Sequence, residues 1–148
     1  MADRDQTMMT ARVVDSLYTE AMLLADEARS YFDLIGRADR DALDPVAKIA
    51  FSCESLRVTT RLLHVIAWLL ARKAEAAGEL SAAGERPRLG RSPPSDTGTL
   101  ALLPQVARAI VEASTDLYAR VARIDRDLTE PRPADGARDL LRRIEGTL

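Results

Sequence analysis

DPVAKIAFSCESLRVTTRLLHVIAWLLARKAEAAG, the run from Asp44 to Gly78, decides the fold. Asp44 offers a carboxylate to the first free amides of a helix, and Pro45 has no N–H to leave unpaired at the first helical position. Gly78 is the matching stop. Between them Ile49, Cys53, Leu56, Thr60, Leu63, Ala67, Leu70 and Ala74 recur at steps of three and four, which predicts a helix with these residues on its packed seam. A second apolar set, Phe51, Val58, Leu62, Val65, Ile66 and Leu69, widens the apolar arc beyond what one neighbour can cover. At ~1.5 Å per residue this helix spans roughly 50 Å, so it is central, covered by two other helices or, in part, by a second copy of the chain.

Outward from that segment the pattern stays helical. Val14, Leu17, Ala21, Leu24, Ala28, Tyr31 and Ile35 form one stripe of a first helix over residues 10–35, with Thr10 as its N-cap and Gly36 as a left-handed stop. Residues 1–9 read as a disordered N-terminus, and Gly36 to Leu43 as a connection. From 78 to 98 Gly, Pro, Ser and Arg dominate, as in Arg86-Pro87-Arg88 and Ser92-Pro93-Pro94-Ser95, which predicts a mobile linker. A third helix begins around Thr99 to Pro104 and carries Val106, Ile110, Ala113, Leu117, Val121, Ile124 and Leu128 in a seven-residue repeat. Pro131 and Pro133 end it. The expected organisation is a three-helix bundle over residues 10–128 and a flexible tail over 129–148, the tail holding a short amphipathic piece, Asp135 to Glu145, that folds on contact.

Composition agrees with an all-α chain. Apolar residues make up 47% of the sequence and aromatics only 4%, so the core is built mainly from Ala, Leu, Val and Ile. With 21 basic and 23 acidic residues the net charge is -2, too balanced to steer the chain onto nucleic acid or an anionic membrane. The most apolar stretch, Leu62 to Ala71, is shorter than the ~20 residues that a spanning helix needs and is interrupted by His64. The polar, acidic start Met-Ala-Asp-Arg-Asp-Gln is no secretory signal, which makes a cytoplasmic protein the expectation. Cys53, the single cysteine, has no partner for a disulfide or a thiolate metal site and reads as a small core residue.

Catalytic patterns are missing from the sequence. His64, the single histidine, stands in Leu62-Leu63-His64-Val65-Ile66 without an acidic residue in helical register and reads as structural or partner-facing. A di-iron bundle would need Glu-x-x-His, and Arg61 stands where that Glu would be. Glu20, Asp26-Glu27 and Glu54 do not make the repeated acidic pairs of a helical nucleotide pyrophosphatase, and neither phosphate-cradling glycine pattern occurs. No catalytic, cofactor-binding or metal-binding residue is therefore assigned. The informative polar residues are Glu54, Arg57 and Arg61, which share a helix face beside Ser55, Thr59 and Thr60. They read either as a solvated face or as donors to a partner carboxylate or to the third helix, where Asp116, Tyr118 and Arg120 lie near the seam. In the tail, Arg138, Leu140, Leu141 and Ile144 complete the set of candidate partner-binding residues.

The run Glu54-Ser55-Leu56-Arg57-Val58-Thr59-Thr60-Arg61-Leu62-Leu63, continuing through Ala67-Trp68-Leu69-Leu70 to Gly78-Glu79-Leu80, resembles the regulator of CtrA degradation (RcdA) family of alphaproteobacteria. Leu117-Tyr118-Ala119-Arg120-Val121-Ala122-Arg123-Ile124-Asp125 is similar to the family's third helix, and the likeness spans roughly residues 10–128. The linker from Arg86 to Asp96 and the tail carry no such likeness. The resemblance implies a homodimeric three-helix bundle that serves as an adaptor of the ClpXP protease. It implies engagement by ClpX primed with a CpdR-like response regulator, and carriage of cargo or of a PopA-like adaptor that binds cyclic-di-GMP. It also implies a cytoplasmic protein concentrated with the protease at a cell pole, with no cofactor and no catalytic residue. The expected function is thus a non-enzymatic adaptor in regulated cell-cycle proteolysis. The alternative is a helical scaffolding dimer without a protease link.

Overall fold

Asp44 accepts a hydrogen bond from the Ala47 amide at 2.8 Å, and from that cap a helix, α3, runs Pro45–Ala76. It stops where Gly78 takes a positive φ of 74°, and the amides of Gly78 and Glu79 close on the carbonyls of Glu75 and Ala74. Both boundaries are the ones that the local sequence dictates. The computed structural model describes residues 2–79, 87–129 and 140–146, without the side chains of 2–4, 6 and 7. Around α3 stand α1, Ala2–Ser30, continued by a π-helical turn over Tyr31–Ile35, then α2, Arg37–Asp41, α4, Thr97–Leu100, and α5, Gln105–Thr129. Among the described residues every regular element is helical.

The three long helices pack on one another, with α3 in contact with both α1 and α5. Val14, Leu17, Ala21, Ala28 and Tyr31 of α1 and its π turn meet Phe51, Val58, Leu62, Val65, Trp68 and Leu69 of α3 and Ile110, Val111, Leu117 and Val121 of α5. Ala21 and Ala107 are fully buried, which lets helix backbones approach closely. The aromatic cluster Tyr31, Phe32 and Phe51 closes the end of the core nearest the α1–α3 connection, with edge-on ring contacts.

Several expectations need correction. Helix α1 begins at Ala2, so residues 2–9 are helical and Thr10 lies inside the helix. Asp5 in the first turn suits its positive dipole end. Gly36 has φ −79°, and is no left-handed stop. Its reason is space: its amide donates to the Tyr31 carbonyl at 2.6 Å, and a Cβ there would come within 2.7 Å of that oxygen and 2.9 Å of the Tyr31 ring. That five-residue closure inserts an extra residue in the turn, which throws Ile35 off the α1 stripe and into solvent. Tyr31 is meanwhile buried with its hydroxyl donated to Asp39 at 2.8 Å, and burial, then this bond, hold the phenol above its ordinary range. Gly36→Ala is expected to cost about 1–3 kcal/mol through this overlap, read by urea unfolding; an unchanged midpoint would show that the turn relaxes freely.

On α5 the seven-residue repeat holds only in its middle. Ile110, Leu117 and Val121 are buried and Ile124 is half-buried, while Val106, Ala113 and Leu128 are exposed. Ala107, Val111 and Ser114, one residue off that phase, are buried instead, and Leu103, just before the helix, joins them in the core. The largest correction concerns α3. The stripe Ile49, Cys53, Leu56, Thr60, Leu63, Ala67 and Leu70 faces solvent, and the second apolar set supplies the core. Cys53 is therefore an exposed thiol and not a core residue. The two sets lie on opposite sides of one helix, and each has the period of a packed face, so periodicity alone does not rank them.

Candidate functional site

Glu54 and Arg61 are 0% and 2% exposed, inside the α3–α5 contact. Arg61 donates through Nη1 to Ser114 Oγ at 2.8 Å, and through Nη2 to the Pro93 carbonyl at 3.2 Å and Ser95 Oγ at 3.1 Å. Ser95 in turn donates to Glu54 Oε2 at 2.6 Å, and Arg57, half-buried, closes an ion pair with the other carboxylate oxygen. Burial pulls the Arg61 guanidinium below its ordinary pKa, and the Glu54 carboxylate opposes that shift. The planar fork of Arg61 thus serves helix and connector at once. Of the two partners that the sequence allowed for Arg61, the structure supplies α5.

The same device holds the rest of the connector. Tyr118 donates to the Gly90 carbonyl at 2.7 Å, and Arg72, stacked 5.4 Å over the Trp68 ring, reaches the Pro87 carbonyl at 3.5 Å. His64 is half-buried under Gly90, where a Cβ would stand 2.8 Å from its ring. Residues 87–96 are therefore a strap laid across α3 and α5, which corrects the expectation of a mobile linker for this part of it; residues 80–86 lie outside the described residues. Prolines have no N–H to satisfy, so a proline-rich strap presents mainly carbonyls, and here long donor side chains meet them. Sequence reasoning missed Trp68 and Asp125, whose bond of 2.9 Å pins α3 to α5 at the far end. The signal was present in the seven-residue row Glu54, Arg61, Trp68, which runs between the core residues Phe51, Val58 and Val65.

Arg120 lies elsewhere, on the α1–α5 surface, paired with Glu20 and with Asp116 at 3.1 Å. Hydrogen bonding to Arg120 lowers the Glu20 pKa from its ordinary 4.5, despite slight burial. A depressed carboxylate stabilises the fold above its unfolded pKa and loses that contribution as pH falls through the folded one. Both side chains are more than a third exposed, so Glu20→Gln should cost under about 1 kcal/mol at pH 7 and nothing at pH 2, by urea unfolding at both pH values.

One surface left open to a partner is apolar. Val46, Ile49, Leu56 and Leu63 are 61–68% exposed and Leu70 is 47% exposed, in line along the outer face of α3. Beside them a groove of about 320 Å³ lies between α1 and α3, floored by Ala28, Val58 and Leu62 and rimmed by Arg29, Asp33 and Thr59. Leu63 borders both. A run of large exposed apolar residues rimmed by polar ones is the character of a protein-docking surface. Leu140, Leu141 and Ile144 are likewise exposed, on a short helix over residues 140–145; Arg138 lies outside the described residues. Among the described residues no group of three or more His, Cys, Asp or Glu side chains could hold a metal ion, and no helix is long and apolar enough to cross a membrane. The structure thus sends Glu54 and Arg61 inward, joins Tyr118 to the strap, and leaves the docking character to the seam that the sequence had placed in the core.

The comparisons bear on this geometry. A family model described as a protein of unknown function, DUF1465, matches residues 5–147. The crystal structure of RcdA from Caulobacter crescentus CB15 superposes with a TM-score of 0.63 at 32% sequence identity, over 77% of this chain and 88% of that one. The chain belongs to the RcdA family. A search of curated proteins gives no match. The residues that the family model matches include α3, α5 and the strap between them.

Proposed function

We propose that the chain is a non-enzymatic adaptor that binds proteins and delivers cargo to the ClpXP protease in regulated cell-cycle proteolysis, in the manner of a regulator of CtrA degradation. The observation that carries this reading is family membership over residues 5–147, with 32% identity to a solved RcdA. Supporting it, Glu54 and Arg61 on α3 are engaged in holding the fold together, while the large exposed side chains Val46, Ile49, Leu56, Leu63 and Leu70 are apolar and suited to contact with another protein. A three-helix bundle of α1, α3 and α5 provides rigid faces, and the exposed Leu140, Leu141 and Ile144 provide a short apolar handle at the end of the chain.

The mechanism is tethering. An adaptor holding cargo on one surface and the protease on another raises the effective concentration of cargo at the pore without touching a covalent bond. The partners in this reading are ClpX, a CpdR-like response regulator, a PopA-like adaptor and cargo proteins, with the chain itself as a homodimer in the cytoplasm, concentrated with the protease at a cell pole. The test is the rate of cargo loss with ClpXP and the CpdR-like regulator, with and without this chain. Acceleration of at least tenfold for one cargo is the expected result. Unchanged rates across cell-cycle cargoes would overturn the reading and leave a scaffolding dimer.

A further inference from the structure

Between its end contacts, with Arg72 and with Glu54, the strap covers roughly 27 Å of α3 at ~1.5 Å per residue, in the eight steps from Pro87 to Ser95. That is about 3.3 Å per step, the rise of a strand or a polyproline helix. The strap therefore lies on α3 and α5 as an extended peptide would. Arg61, Arg72 and Tyr118 donate to its carbonyls, Gly90 rests on the His64 ring, Trp68 lies under Arg72, and Leu89 packs against the core. Arg, Tyr and Trp are the residue types that dominate binding hot spots, and aromatic surfaces with donors aimed at carbonyls are what hold proline-rich ligands. The fit of the strap is incomplete. Three polar atoms at this contact, His64 Nδ1, Arg72 Nε and Ser92 Oγ, are buried without a hydrogen-bond partner among the described residues, and each such atom weakens the closed arrangement.

We propose that the face of α3 and α5 beneath the strap is a docking groove for an extended, proline-rich segment of a partner protein, and that the strap is its occupant in the free chain. The chemistry of the ligand follows from the groove. It offers donors to carbonyls at three places along its length, so a ligand with few N–H groups of its own leaves fewer of them unpaired, and proline has none. The position over His64 takes only glycine, because a Cβ there would stand 2.8 Å from the ring. The position before it takes a leucine, as Leu89 shows. A partner segment with leucine, then glycine, then prolines fits these places as the strap does, and gains on it by giving Arg72 Nε an acceptor and His64 Nδ1 a partner. The strap competes at the high effective concentration of a tethered segment, which keeps the groove closed until such a segment is presented.

This inference rests on the reading of the chain as a docking protein, but its test does not involve delivery. The probe is a synthetic peptide of residues 87–96, titrated into the full-length chain and read by the fluorescence of Trp68, the single tryptophan, on which Arg72 stacks. Gly90→Ala in the chain makes its own strap collide with His64, while the peptide keeps its glycine. The Gly90→Ala chain should therefore bind the peptide at least about tenfold more tightly than the wild type, because the tethered competitor is handicapped. Leu89→Ser loosens the strap by a second route and should give a gain in the same direction, which decides the matter if Gly90→Ala loses native helicity. Adding Tyr118→Phe, which removes the donor to the carbonyl at position 90, should abolish most of the gain. Natively helical variants that bind the peptide no better than the wild type would overturn the proposal. So would a gain that Tyr118→Phe leaves untouched, or a larger assembly of the loosened variants that shuts the peptide out, which would make a second copy the occupant. A chain that takes up no peptide yet speeds cargo loss would remove the groove and leave the delivery reading intact; peptide uptake by a chain that delivers nothing would do the reverse.

Discussion

Arg61→Met lowers the free energy of unfolding by about 3–5 kcal/mol, the cost of leaving one member of a buried charge pair without its partner. The substitution keeps an unbranched stem and removes four contacts at once: the donors to Ser114, Ser95 and the Pro93 carbonyl, and the charge facing Glu54. Glu54 then stands fully buried with only Arg57 and Ser95 on it, and the strap loses its central anchor. Urea unfolding followed by far-ultraviolet circular dichroism measures the loss. The double variant Glu54→Leu with Arg61→Met should recover more than half of it, because removing both charges removes the desolvation that one alone incurs. A single variant within 1 kcal/mol of wild type, taking about 1 kcal/mol as an ordinary surface effect, would show that the cluster is hydrated and not a clasp.

Leu62→Asp and Leu63→Asp differ by one position and should differ in outcome as a core does from a surface. Leu62 is 3% exposed among the residues of α1 and α3, so a carboxylate there is buried without a partner and the chain unfolds or loses about 4 kcal/mol or more. Leu63 is 61% exposed, so the same substitution leaves the monomer's stability within about 0.5 kcal/mol and acts on association instead. Denaturation reads the first and sedimentation the second. Equal destabilisation by both would put Leu63 back in the core, where the simple stripe on α3 had placed it.

That pair of neighbours marks the boundary of what local sequence carries. The start of α3 at Asp44-Pro45, its stop at Gly78 and the core stripe of α1 from Val14 to Tyr31 were legible because capping groups and apolar spacing act within one or two turns. The likeness of the α3 run to RcdA was legible as well. The strap was not, because a proline-rich segment has the composition of a linker unless distant donors meet its carbonyls, and Arg61, Arg72 and Tyr118 come from two other elements.

The sequence by itself determined that the regular elements among the described residues are helical, where the central helix starts and stops, and that this helix has more apolar surface than one neighbour covers. Only the tertiary structure decided which side of it faces inward. Two opposite faces of α3 are both apolar, and the one that is packed also carries Glu54, Arg61 and Arg72, which weigh against burial in any local count. Those charges go inside because Ser95, Ser114 and the strap carbonyls are waiting for them, at distances in sequence that no period of three and a half residues can sense.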